Sequence, residues 1–206
     1  MKVKILFLLL VIFTFKSIAC TIVTGVDAKG QTWVMNNEDF FHTYSNYVNV
    51  YPSQKKTLGY ITLTYGSPES GIQGGANEAG VFFDINALPP QAYKLSEGKK
   101  PFTSGSMLLY LLQYCKTVPE FLKLWETYYM PGMNDIQIHL ADKKGNLAII
   151  TPDTIVSSKT HLTSTNFNVC EAGTNKQACW RYPIAEKVIA ESGVSKGNLV
   201  KIANAT

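Results

Sequence analysis

The chain has 206 residues, 46% of them hydrophobic and 17% charged, with 19 Lys and Arg against 15 Asp and Glu and four cysteines. Apolar and aromatic residues without a low-complexity tract or internal repeat exclude a disordered chain and suit one domain with a sizeable core. Three lysines (Lys2, Lys4, Lys16) precede the first cysteine, Cys20, and the remainder carries 16 basic against 15 acidic residues, which excludes the electrostatic footprint of a nucleic-acid partner.

The first segment, MKVKILFLLLVIFTFKSIAC, reads as a secretory leader. Two lysines open it, and Ile5 to Phe15 are apolar apart from Thr14. That run is short of the roughly 20 apolar residues a transmembrane helix needs. Ser17 and Ala19 form a small-x-small cleavage pattern. Removal of residues 1–19 would leave 20–206 as one exported domain, secreted or periplasmic, with no membrane span and with Cys20 as residue one. A lipid anchor on Cys20 is the rival fate. Lipoprotein leaders usually carry Leu three residues before the cysteine, where this chain has Ser17, and a polar tether after it, where this chain runs on into TIVTGV.

CTIVTGVDAKGQTWVMNNED predicts a hairpin, two β-rich runs around DAKG. YVNVYP and YITLTYG predict two more strands, and GGANEAGVFFDINALP a glycine-bounded turn followed by a strand. Residues 104–129 predict two helical segments, the second opened by TVPE with Thr117 as N-cap. DIQIHLADKKGNLAIITPD predicts a hairpin, TSTNF follows a short strand, and 180–189 are helical in pattern. Hairpins with two helical blocks imply an α+β fold with antiparallel sheet. Cys170 and Cys179 flank EAGTNKQA and are expected to close it as a disulfide, since an exported chain meets an oxidising compartment. Cys115 reads as a buried core thiol, which leaves Cys20 without an evident partner, a candidate reactive thiol. His42, His139 and His161 have no metal-ligand spacing and read as structural. Tyr44, Tyr47, Phe82 and Phe83 serve either an acyl pocket or the core.

A cysteine that opens the mature chain has a specific chemistry. An α-amine with a reference pKa of about 7.7 to 8.0 acts as a general base, so nucleophile and base reside in one residue. It can attack an amide carbonyl, pass through a thioester and be regenerated by water.

The motifs and their order resemble the linear-amide branch of the N-terminal nucleophile hydrolases, which includes choloylglycine hydrolases, penicillin V acylases and acyltransferase relatives. The opening Cys20-Thr21, the stretch VMNNEDF, the NEAG turn with its following strand, the ADKKGN hairpin, TSTNF and CWRYPIAEK correspond in turn, from about Cys20 to Glu191. The resemblance implies an αββα sandwich of two antiparallel sheets between helical layers. It implies Cys20 as nucleophile, Asp39 holding its amine and thiol, and the Asn86 backbone N–H and the Asn166 side chain at the oxyanion. Arg181 would support the site. The family's arginine position falls on Asn36, a departure that removes a cation from beside the thiol. The implied activity is hydrolysis of a linear C–N amide in a small-molecule N-acyl compound, with no metal or organic cofactor; a homo-oligomer is left open. Family members usually continue past the arginine helix into strands that complete a sheet, so whether the sandwich is complete at its C-terminal side or is that of a shortened chain is left open. A non-catalytic binding protein on the same scaffold, lipid-anchored or secreted, is the second reading.

Overall fold

A computed structural model describes residues 20–38, 43–170 and 179–206; the expected leader and Asp39 lie outside the described residues. The chain opens with the hairpin β1 (Thr21–Val26) and β2 (Thr32–Asn37). Its turn is local chemistry: Asp27 Oδ1 accepts from the backbone N–H groups of Lys29 and Gln31 at 2.8 and 2.9 Å, and Gly30 takes φ 77°. A side chain at Gly30 would be strained there. The carboxylate also accepts from Trp33 Nε1 at 2.9 Å.

A meander follows: β3 (Asn46–Tyr51), β4 (Tyr60–Tyr65), β5 (Ile72–Asn77) and β6 (Val81–Ala87). Then come the short β7 (Lys100–Pro101), the helices α1 (Met107–Tyr114), α2 (Val118–Leu122) and α3 (Leu124–Thr127), and β8 (Tyr128–Tyr129). The hairpin of β9 (Ile136–Asp142) and β10 (Leu147–Ile150) leads to β11 (Ile155–Ser158), β12 (His161–Ser164), α4 (Arg181–Ser192) and α5 (Lys196–Ala205). Two antiparallel sheets result among the described residues, one of seven strands in the order β11-β10-β9-β6-β5-β4-β3 and one of three in the order β12-β1-β2.

Strand alternation puts the sheets face to face. On β6, Val81, Phe83 and Ile85 point to α1, α2 and α3, where they join a cluster with Leu111, Phe121 and Trp125. On β1, Val23 points the other way, into a smaller cluster of Ala185, Ile189, Leu199 and Ile202 from α4 and α5. The remaining faces of β1, β6 and β9 meet between the sheets. The molecule is an αββα sandwich, α+β as the sequence predicts.

Helix boundaries follow their caps. Thr117 accepts from Glu120 N–H at 3.3 Å to open α2, as TVPE predicts, and Ser106 caps α1 by accepting from Leu109 N–H at 3.3 Å. Asn77, in the NEAG turn, serves both ends of the chain around it. Its Oδ1 accepts from Val81 N–H at 3.0 Å to close the β5–β6 turn, and its Nδ2 donates to the Leu112 and Cys115 carbonyls at the end of α1. Asp142 of ADKKGN similarly accepts from Val118, Lys144 and Asn146 N–H. One expectation is corrected. No disulfide joins Cys170 to Cys179; Cys170 Sγ instead accepts from Thr151 Oγ1 at 3.6 Å. Cys115 is buried in the helical core, where desolvation pushes its thiol up to about 12.

Candidate active site

Cys20 sits just ahead of β1, 5% exposed, on the strand face that looks into the inter-sheet space. Its backbone N–H donates to Asn166 Oδ1 at 2.7 Å. Asn166 follows β12, which pairs with β1 in the register Ile22 to Ser164, so sheet pairing itself delivers the amide to the cysteine. Asn166 Nδ2 donates to the Ala87 carbonyl at 3.0 Å, which ties the same side chain to the end of β6. Asn86 lies one residue earlier, fully buried, and accepts from Ser164 Oγ. The structure therefore gathers Cys20, Asn86 and Asn166 at one end of the inter-sheet space.

Arg181 is buried at the first position of α4, with its guanidinium 5.1 Å from the centre of the Trp180 ring. Trp180 is the residue immediately before α4. Of the two histidines among the described residues, His161 meets Glu186 at 3.4 Å on α4. His139 stands between the sheets. Thr24 Oγ1 lies 2.9 Å from its Nε2 and Ser164 Oγ lies 3.0 Å from its Nδ1. Ser164 donates onward to Asn86, so the network assigns the proton to Nδ1 and acceptance to Nε2. Full burial holds this imidazole neutral, at about 3. Its part is structural: it locks β1, β9 and β12 together behind the site.

Sequence reasoning missed two carboxyl groups, one beside the thiol and one an amide behind it. Glu38, directly after β2, accepts from Cys20 Sγ at 3.4 Å. Asn36 Nδ2 donates to Glu38 Oε2 at 2.6 Å and to Asp84 Oδ2 at 2.9 Å, so one amide bridges two acids. Asp84 is 1% exposed and also accepts from its neighbour Ile85 N–H at 2.8 Å. Burial first, and the nearby Glu38 charge second, push it up to about 7. Burial raises Tyr65 as well, helped by the charges of Glu38 and Cys20, which places that phenol on the same cluster.

An open cleft of about 220 Å³ adjoins these groups. Tyr47, Val48, Leu63 and Tyr65 give it an apolar wall, while Asn36 and Glu38 close its polar end. Of the aromatic residues weighed for a pocket, Tyr47 lines this cleft, Phe83 belongs to the helical core, and Tyr44 packs edge-on to Tyr65. Among the described residues no group of three His, Cys, Asp or Glu side chains is placed to hold a metal, and no helix is long and apolar enough to cross a membrane.

Comparison with known proteins agrees with this architecture. A family model described as acyl-coenzyme A:6-aminopenicillanic acid acyl-transferase matches residues 26–182. Penicillin V acylase from Agrobacterium tumefaciens superimposes with a TM-score of 0.62 at 14% identity, over 90% of this chain and 71% of that one. A variant of conjugated bile acid hydrolase from Clostridium perfringens gives a TM-score of 0.51 at 16% identity, over 82% of this chain and 58% of that one. No curated sequence matches. At these identities the two structures establish the fold, which is that of the N-terminal nucleophile hydrolases.

Proposed function

We propose that this chain, which belongs to the acyl-coenzyme A:6-aminopenicillanic acid acyl-transferase family, is an exported amidase that cleaves a linear C–N amide with the thiol of Cys20. The observation that carries this reading is the 2.7 Å contact from Cys20 N to Asn166 Oδ1, made by a buried cysteine at the head of a strand. Loss of residues 1–19 would turn that nitrogen into a free amine, already oriented by the asparagine.

The thiol proton passes to the amine as sulfur attacks the substrate carbonyl. The carbonyl oxygen becomes an oxyanion. Asn166 Nδ2 spends one hydrogen on the Ala87 carbonyl and has a second to give. Collapse of the tetrahedral intermediate breaks the C–N bond. The protonated amine supplies the leaving nitrogen with its proton, leaving a Cys20 thioester. Water, deprotonated by the same amine, then releases the carboxylic acid and restores the thiol. A second amine arriving in place of water would give acyl transfer, the activity named for the matching family. The Tyr47–Leu63 wall fits an apolar acyl group, so an N-acyl compound with a hydrophobic acyl chain is the favoured substrate class.

Two measurements test this. The mass of the mature N-terminus is expected to show an unmodified chain that begins at Cys20; a chain beginning at Met1, or a diacylglyceryl adduct, contradicts the processing step. A panel of N-acyl amino acids, bile-salt conjugates, phenoxyacyl amides and N-acyl lactones is expected to contain a substrate cleaved by this chain and not by its Cys20→Ala variant. Release by Cys20→Ala at the parent rate contradicts the nucleophile.

A further inference from the structure

The site has a charge problem. Its nucleophile must ionise beside Glu38, and Asn36, the amide that bridges Glu38 to the next acid, carries no positive charge. A second acid, Asp84, is then added from behind. It projects from β6 into the inter-sheet space, 1% exposed, with its Oδ2 on the same Asn36 amide. Gly74, its cross-strand partner on β5, makes the room: a Cβ there would stand 2.9 Å from Asp84 Oδ2. A buried acid in a space cleared for it, one amide away from the carboxylate that touches the thiol, is an expensive feature for a core to keep without a use.

We propose that Asp84 is a positioning residue for the nucleophile: through the Asn36 amide it holds Glu38 on the Cys20 thiol, and its own protonation state decides how readily that thiol ionises.

The chemistry follows from the groups that face Asp84. Asn36 and Glu38 come from the end of β2, Gly74 from β5 and His139 from β9, its cross-strand partner. Cys20 and Tyr65 join through Glu38. His139 is neutral throughout the working range because burial holds it near 3. No cation figures among the groups that shift Asp84. While Asp84 keeps its proton, Glu38 carries the one negative charge among the described carboxyl groups of the cluster, and a thiolate can form beside it. Once Asp84 ionises, near pH 7, its negative charge adds to that of Glu38, the carboxylate that touches the thiol, and opposes formation of the thiolate. Asn36 donates to both acids and so holds their geometry in either state.

This inference rests on the reading of Cys20 as nucleophile, but its test does not need turnover. The full chain, in which Cys20 N is a peptide amide, is treated with iodoacetamide from pH 6 to 10, and Cys20 alkylation is followed by mass spectrometry. In the parent, Asp84 and the thiol titrate against each other, so the profile is expected to spread beyond a single-proton curve. Asp84→Asn and the smaller Asp84→Ser remove the charge. Each is expected to give a single-proton curve with its midpoint lower by about half to one pH unit. A single-proton parent curve overturns the proposal, as does an unchanged or raised midpoint in whichever variant melts cooperatively. A merely structural role for Asp84 would alter melting and leave the midpoint in place. A chain that cleaves no amide yet shows these shifts would remove the hydrolase reading and keep the charge relationship. A chain that cleaves amides without the shifts would do the reverse.

Discussion

The two faces of β6 are built from one seven-residue strand and obey different rules. Val81, Phe83 and Ile85 pack against helices in an apolar cluster. Asp84 and Asn86, which alternate with them along the strand, face the opposite sheet in a space that is equally dry but lined with hydrogen-bonding groups. The apolar face gains stability in proportion to the area removed from water. The polar face gains only about 0.5 to 1.5 kcal/mol net from each hydrogen bond and loses more wherever a buried one is left unmade. What it provides is position. His139, Ser164 and Asn86 form one chain of hydrogen bonds, Asn166 holds the Ala87 carbonyl beside it, and Cys20 is held by Asn166. One strand carries the fold on one side and the proposed chemistry on the other, so variants on the two sides should fail in different assays.

The largest effects belong to the polar face. Cys20→Ala is expected to abolish amide hydrolysis, and Asn166→Ala to lower it roughly 10²- to 10³-fold, the usual cost of one oxyanion donor. Both variants should melt within a few degrees of the parent. A large loss of stability together with the loss of activity would erase the distinction between the faces.

On the apolar face the assay reverses. Phe83→Ala, at a position with no exposed surface, is expected to cost about 3 to 5 kcal/mol in denaturant unfolding while the turnover of the remaining folded protein stays near the parent's. A turnover loss comparable to that of Asn166→Ala would show that the helical core acts on the chemistry.

The third prediction sharpens the comparison through pH. Burial lowers His139 from 6.5 to about 3, so the stability it contributes is complete above pH 6.5 and is lost as pH falls toward 3. Burial raises Asp84 from 3.8 to about 7, so its contribution is complete below pH 3.8 and is lost as pH rises toward 7. The two are cross-strand partners with opposite signs, each on the order of several kcal/mol, and between about pH 4 and 6.5 they oppose each other. Asp84→Asn removes one side of the balance. Its melting temperature is expected to fall more steeply than the parent's from pH 6.5 to 4, and parallel curves would contradict the linkage.

His161 offers the smallest effect. Its hydrogen bond to Glu186 raises its pKa, so the contribution is complete below pH 6.5 and fades as pH rises through the raised value. The pair is part-exposed, and His161→Gln is expected to cost under about 1 kcal/mol at pH 6, with no change in turnover.

The sequence carried the fold well because period and punctuation are local signals. The DAKG turn, the Thr117 cap and the alternation of DIQIHL each fix an element without help from distant residues. Two members of the proposed site, Cys20 and Asn166, stand in short motifs, and the structure brings them into contact. Glu38 and Asp84 were not legible. In sequence Asp84 interrupts VFFDIN as a polar residue that an exposed strand face would explain, and only the second sheet above it turns exposure into burial. Glu38 gains its meaning from Cys20, eighteen residues earlier, across a strand pairing that no periodicity encodes. The Cys170–Cys179 expectation failed for the opposite reason. It relied on short separation and compartment, and proximity in sequence does not fix the geometry a disulfide needs.

The central claim is that the amine of Cys20 is the base for its own thiol. The direct measurement compares a chain that begins at Cys20 with one carrying a single extra residue before it, on the same amide substrate. Every side chain stays in place, but the extra residue converts the amine into a non-basic amide. The account predicts turnover in the first chain and none in the second. Equal rates in the two would contradict it.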